Sequence, residues 1–320
     1  MRMSRLMGAS ARAVGPTAQT PRKERAAGLS IASNTILIIL KLVAGAITGS
    51  VAIITEAVHS AIDLMASVIA YFSVRKADQP ADASHPYGHQ KVENVAAAIE
   101  GVLILIGAAV IIFESVRRLS HGAEIESLGF GIGVIAFSAA ANLVVSTYLY
   151  RQARATDSPA LEGDAAHLRT DAFTSLGVLA GLVLVEVTGI VELDAITALL
   201  VAVAIVFAGL RILNRSTREL VDEALPEDEL AAVRGAIEEF GSDSIIGFHK
   251  LRARRAGSRR YVDLHVQFRE GTSLKRAHEL AHQLEGAIRS RLRGADVLIH
   301  LEPEDAAVHP RPAGDAPTAG

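Results

Sequence analysis

Residues 51–74 read VAIITEAVHSAIDLMASVIAYFSV, a run apolar throughout its length except where Glu56, His59 and Asp63 interrupt it. A helix crossing a bilayer needs about 20 such residues, so this stretch is read as a membrane span that carries ionisable groups at depth. Residues 166–175, AHLRTDAFTS, repeat its internal spacing: His59, Asp63, Ser67 and His167, Asp171, Ser175 are each separated by three residues. Side chains at i and i+4 lie one above the other on a helix, about 5 to 6 Å apart. Each stretch therefore presents one imidazole and one carboxylate on one face. Two such faces opposed make four N/O ligands, a tetrahedral set suited to zinc. An ionised Asp at the centre of a membrane helix costs roughly 2.5 to 3.5 kcal/mol on insertion scales, and such groups mark ion pathways. A hydrogen-bonded polar network with no ion is the alternative.

Working outward, six apolar stretches are predicted as spans: Leu29 to Thr48, Val51 to Val74, Val92 to Val116, Leu128 to Tyr150, His167 to Val187 and Ile196 to Leu213. They make up a membrane domain over 28–216. Lys and Arg concentrate in the N-terminal arm, in the second connection (Arg75, Lys76, Lys91) and in the fourth (Arg151, Arg154). By the positive-inside rule these segments and both termini are placed in the cytoplasm, with Arg117 and Arg118 as exceptions. His59 would lie about 13 Å and His167 about 30 Å from the outer ends of their spans at 1.5 Å per residue. The two match in depth only if the fifth helix tilts or begins well before His167.

The 320-residue chain is half hydrophobic yet 21% charged, with no cysteine, no tryptophan and eleven histidines. Its mean hydropathy of +0.31 reflects segregation into an apolar part and a polar part. Without cysteine there is no disulfide, thiolate zinc site, iron–sulfur cluster or catalytic thiol, so metal must be held by His and carboxylate. A net charge of -3 provides no global basic field, and nucleic acid is not expected as a partner. Residues 1–27 are read as a disordered basic arm and 304–320, rich in Ala, Pro and Gly, as a disordered tail. Between them, residues 217–303 are read as α-β-β-α-β. A helix runs from Pro226 to Phe240, strands from Ile245 to Arg254 and Arg260 to Arg269, a helix capped by Thr272 or Ser273 to about Leu292, and a strand from Val297 to Leu301.

At this point the sequence resembles the cation diffusion facilitators, which export divalent metal ions in exchange for protons. The resemblance rests on residues 41–50 (KLVAGAITGS), the two His/Asp pairs and the loop of residues 85–93 (HPYGHQKVE). It implies an all-α bundle of six transmembrane helices with a C-terminal cytoplasmic ferredoxin-like, metallochaperone-like domain, working as a homodimer in the cell (inner) membrane. It implies that His59, Asp63, His167 and Asp171 form the transport site, for zinc or alternatively cobalt, cadmium or ferrous iron. Asp82, His85 and His89 match a loop site, and His249, His265, His278, His300 and Glu302 a regulatory cluster in the cytoplasmic domain. Glu302 stands where the family leads one to expect Asp. Lys91 and Asp222 match an inter-subunit charge interlock. The expected activity is alternating-access zinc/proton antiport, regulated by metal on the cytoplasmic domain.

Two other readings compete. Residues 278–282 spell HELAH, the HExxH pattern of zinc peptidases, in which two His hold the metal and Glu279 activates water. It would make the chain a membrane-anchored enzyme, but leaves the paired membrane ligands without a role. A metal sensor without transport is the other. Glu56, Glu100 and Glu114 are further polar intrusions in or near the spans, read as proton carriers or interhelical hydrogen-bond partners.

Overall fold

The computed structural model describes residues 20–48, 51–121, 129–190, 192–241 and 243–305, and the chain divides into two compact units at Val221/Asp222. Among the described residues the first unit is a bundle of six helices: α1 (Thr20–Thr48), α2 (Val51–Ala77), α3 (Lys91–His121), α4 (Gly129–Thr156), α5 (Pro159–Thr188) and α6 (Glu192–Leu220). At 27 to 31 residues each they are about 40 to 47 Å long, more than a hydrocarbon core of about 30 Å requires. Among the described residues α1, α3, α4, α5 and α6 are apolar enough, by length and composition, to cross a membrane.

Beside an apolar core that includes Ile104, Leu149, Leu161 and Leu168, this unit exposes large apolar side chains and buries ionisable ones. Ile47, Phe113, Val187 and Phe207 stand on the outside, whereas Asn34, Lys41, Asp63, Glu93, Glu100, Asp164 and His167 are buried. An apolar exterior of this extent is unfavourable in water and suits a lipid surround.

Two expectations change. The arm expected to be disordered through Ala27 is helical from Thr20, and Lys23 is buried. Its ammonium donates to Glu93 Oε1 at 2.7 Å and lies 3.8 Å from Asp78. A buried carboxylate requires a counter-charge, and the need holds this turn against α3. Second, α5 starts at Pro159, eight residues before His167. Ser158 caps it, accepting from the Leu161 amide, and Gly189 closes it in the left-handed conformation (φ 72°). His167 is thus set inside its helix, the second of the two depth solutions. The exceptional Arg118 donates to Asp194 at 3.0 Å and contacts Glu114, which also pairs with Arg117.

The second unit contains α7 (Glu227–Phe240), β1 (Ile245–Ala256), β2 (Arg259–Phe268), α8 (Leu274–Arg291) and β3 (Ala295–Pro303). The strands lie in the order β1-β2-β3, the first pair antiparallel and the second parallel. β2 alternates strictly. Val262, Leu264, Val266 and Phe268 are buried in a core with Val233, Ile237, Leu280, Leu284 and Ile288 of the helices, while Tyr261, Asp263, His265 and Gln267 line the opposite face. Ser273 caps α8 by accepting from the Arg276 amide. Residues 1–19 and 306–320, where most of the arm and tail were placed, lie outside the described residues.

Candidate metal centre

In the bundle, α2 and α5 bring Asp63, His167 and Asp171 together, with one ligand atom of each within 4.8 Å of the others. His167 Nε2 is 3.2 Å from Asp63 Oδ1 and 3.9 Å from Asp171 Oδ2. All three line a cavity of about 310 Å³, together with Lys41, Ser138, Asn142 and Ser175. The Ser138 hydroxyl and the Asn142 carbonyl oxygen are buried there without a hydrogen-bond partner. His59 belongs to α2, one turn before Asp63, but its side chain lies outside the described residues.

The serines that complete the repeated spacing diverge. Ser175 faces the cavity, whereas Ser67 donates to Asp164 at 2.9 Å and meets Ser30 and Asn34 of α1, each at 2.9 Å. Lys41 donates to Ser60 at 2.7 Å. Sequence reasoning gave Lys41 and Asp164 no part in the site. The available signal was a charge inside a predicted span for Lys41, and a carboxylate one helical turn before His167 for Asp164. Glu100 of α3, read as a proton carrier or interhelical hydrogen-bond partner, approaches His167 Nδ1 to 3.8 Å from the other side.

Between α2 and α3, Asp82, His85 and His89 also converge within 4.8 Å. Asp82 Oδ1 accepts from the Ser84 hydroxyl (2.7 Å), the Ser84 amide (2.9 Å) and the His85 amide (2.7 Å). The Ser84 hydroxyl first, then the His85 amide, hold its carboxyl well below the ordinary range. Its second oxygen lies 3.3 Å from His89 Nε2. His89 is buried, and neither ring nitrogen makes a hydrogen bond. A buried imidazole beside an ionised carboxylate and a second imidazole, ring centroids 4.5 Å apart, is a donor set a divalent cation would satisfy.

In the second unit the register fixes a third cluster. His249 is opposite His265, and His265 opposite His300, across three adjacent strands. Glu302 reaches both imidazoles of the first pair, with His265 Nδ1 at 2.6 Å and His249 Nε2 at 2.9 Å, while His300 Nε2 lies 3.9 Å away. The His265 contact holds the Glu302 carboxyl below its ordinary value despite some loss of solvent. His249, His265 and Glu302 fall within 4.8 Å of one another, so the longer Glu still closes the set. His278 is not brought into it. It lies exposed on α8, its ring 4.4 Å from that of His282.

That placement also removes the support for the HExxH reading. His278, Glu279 and His282 point outward from α8, Glu279 lies 3.8 Å from Arg276, and no third ligand joins them among the described residues. Of the pair read as an interlock, Lys91 Nζ donates to the Leu220 carbonyl at 3.0 Å in the first unit. Asp222 accepts from Arg254 at 2.7 Å in the second.

Comparison with known proteins agrees with the division of the chain. Residues 28–221 match the family model of the cation efflux transmembrane domain, and residues 225–304 that of the cation efflux protein cytoplasmic domain. The cation-efflux pump FieF of Yersinia pestis is 35% identical over 286 residues, 89% of this chain and 94% of that protein. The uncharacterised transporter sll1263 of Synechocystis is 34% identical over 275 residues, 86% and 88% of the two chains. The helical unit and the small α/β unit that follows it are thereby matched in order and over most of their length. The chain belongs to the cation efflux family, the cation diffusion facilitators, and is a multi-pass membrane transporter of divalent metal cations, not an enzyme.

Proposed function

We propose that the chain exports zinc in exchange for protons by alternating access, with His59, Asp63, His167 and Asp171 as the transport site. The observation that carries this reading is the convergence of Asp63, His167 and Asp171 on one cavity wall inside the bundle. Zinc needs a neutral imidazole and ionised carboxylates, so metal binding releases protons and protonation releases metal. Imidazole makes that exchange near neutral pH. In the inward state the site loads from the cytoplasm. Rocking of the bundle then exposes it on the far side, where protons displace the cation. Cobalt, cadmium and ferrous iron are the other ions this N/O set accommodates.

In this reading α2 is the sixth crossing, and both termini lie in the cytoplasm of a cell whose inner membrane holds the protein. The α-β-β-α-β half is ferredoxin-like and pairs two copies into a homodimer. His249, His265, His300 and Glu302 hold regulatory zinc there, with His278 contributed across the pair, and Lys91 and Asp222 form a charge interlock between copies. Asp82, His85 and His89 hold a further cation. Regulation requires that the two transport states differ in their affinity for the regulatory ion.

The test is zinc flux in proteoliposomes containing the full-length chain under an imposed pH gradient. Asp63→Ala and Asp171→Ala are expected to abolish gradient-driven zinc uptake. Transport by either at the parent rate would remove the site assignment, and gradient-independent flux would remove proton coupling. A protein that binds zinc in detergent but moves none in vesicles would be a sensor.

A further inference from the structure

Three buried polar atoms face one another behind the candidate transport site, and none makes a hydrogen bond among the described residues. They are His167 Nδ1 and both carboxylate oxygens of Glu100. Glu100 is fully buried on α3, with Oε2 at 3.8 Å from His167 Nδ1. Its place is prepared by the facing helix. At Gly163 of α5, a Cβ would stand 3.1 Å from Glu100 Cβ and Cγ, so the absence of a side chain there leaves room for the Glu100 stem. A carboxylate buried without partners is costly, and such a group in a native structure calls for an explanation.

The geometry of the imidazole supplies one. His167 turns Nε2 toward Asp63 and Asp171 and Nδ1 toward Glu100. When Nε2 binds a cation through its lone pair, the ring proton must sit on Nδ1. That proton then needs an acceptor, and Glu100 is the carboxylate in front of it. We infer that Glu100 is a positioning residue for the transport site: by accepting from His167 Nδ1–H it fixes the tautomer and rotation that present Nε2 to the cation. Metal-ligating histidines commonly donate their other N–H to a carboxylate in this manner, which raises ligand basicity. The inference rests on Asp63, His167 and Asp171 being the transport site.

Glu100→Gln keeps the shape and removes the charge. In vesicles of the full-length chain it is expected to raise the zinc KM about 10- to 100-fold, the usual effect of losing such a partner, with Glu100→Asp intermediate. An unchanged KM in Glu100→Gln overturns the inference. A merely structural role is separated by 15N spectra of histidine-labelled, zinc-loaded protein, with His167 identified by its absence in His167→Gln. The parent should show zinc on Nε2 and the proton on Nδ1, and Glu100→Gln a loss of that single form. The parent tautomer retained in Glu100→Gln overturns the inference, whatever the flux. If Asp171→Ala transports like the parent, the transport-site reading itself falls. If Asp171→Ala is inactive while Glu100→Gln is silent, only the role of Glu100 falls.

Discussion

Glu302 ends the last strand with each carboxylate oxygen engaged by a different histidine, His265 on one and His249 on the other. One methylene more than aspartate allows a single residue on β3 to reach across β2 to β1. Removing its charge should open the cluster without disturbing the bundle. In Glu302→Gln, calorimetric titration of the full-length protein is expected to show fewer zinc ions bound per chain, with vesicle flux retained. Unchanged stoichiometry would contradict the assignment. The legible part of this site was its periodicity, since residues 263, 265 and 267 alternate against an apolar set, and 300 and 302 share a face. The placement of His278 was not legible. Its membership came from resemblance alone, and helical phase puts residue 278 on the outer face of α8 while residues 277, 280 and 284 go inward.

At the scale of elements, what holds α1, α3 and α5 together at one end is a charge cluster. Lys23 meets Glu93, and Glu93 also accepts from Ser158, the residue that caps α5. Truncating one partner of a buried pair leaves the other charge uncompensated, at about 3 to 5 kcal/mol. Lys23→Met is therefore expected to lower the thermal midpoint of the detergent-solubilised protein markedly, and Lys23→Met with Glu93→Leu to recover part of the loss. Equal midpoints for the parent and Lys23→Met would show that the pair contributes nothing. This turn was misread from sequence because Pro21, Arg22, Lys23, Glu24 and Arg25 carry no apolar period, and the carboxylates that Lys23 meets, Glu93 and Asp78, are distant in the chain. The close approach of α3 and α6 was equally hidden. It depends on Gly101, where a Cβ would stand 3.0 Å from the Leu213 amide nitrogen, and on Gly209, where one would meet Leu105 at 3.0 Å. By contrast, the five spans that the described residues bear out, α1, α3, α4, α5 and α6, were legible because length and apolarity are local properties.

For the molecule as a whole, the two units differ in how acid should affect them. In the second unit burial alone would raise the Glu229 carboxyl, but Arg260 and Arg255 outweigh it and hold the group below its ordinary value of 4.5. The folded state thus favours ionised Glu229. Its contribution to stability is present above the unfolded pKa and is lost as pH falls through the depressed folded one. Glu229→Gln should be less stable than the parent at pH 7, and the difference should shrink below about pH 4.5. Scanning calorimetry of the full-length protein from pH 7 downward checks this, and a difference that stays constant with pH would refute it. The first unit has another history, set by synthesis. Lys23 is made 70 residues before its partner Glu93, and Ser158 follows Glu93 by 65. At about 5 to 20 residues per second, the lysine waits roughly 4 to 14 seconds for its counter-charge. The cluster then stays incomplete for about 3 to 13 seconds more at the same rate. α1 cannot finish its packing until α5 has begun, so a chain halted between them holds an unfinished charge site.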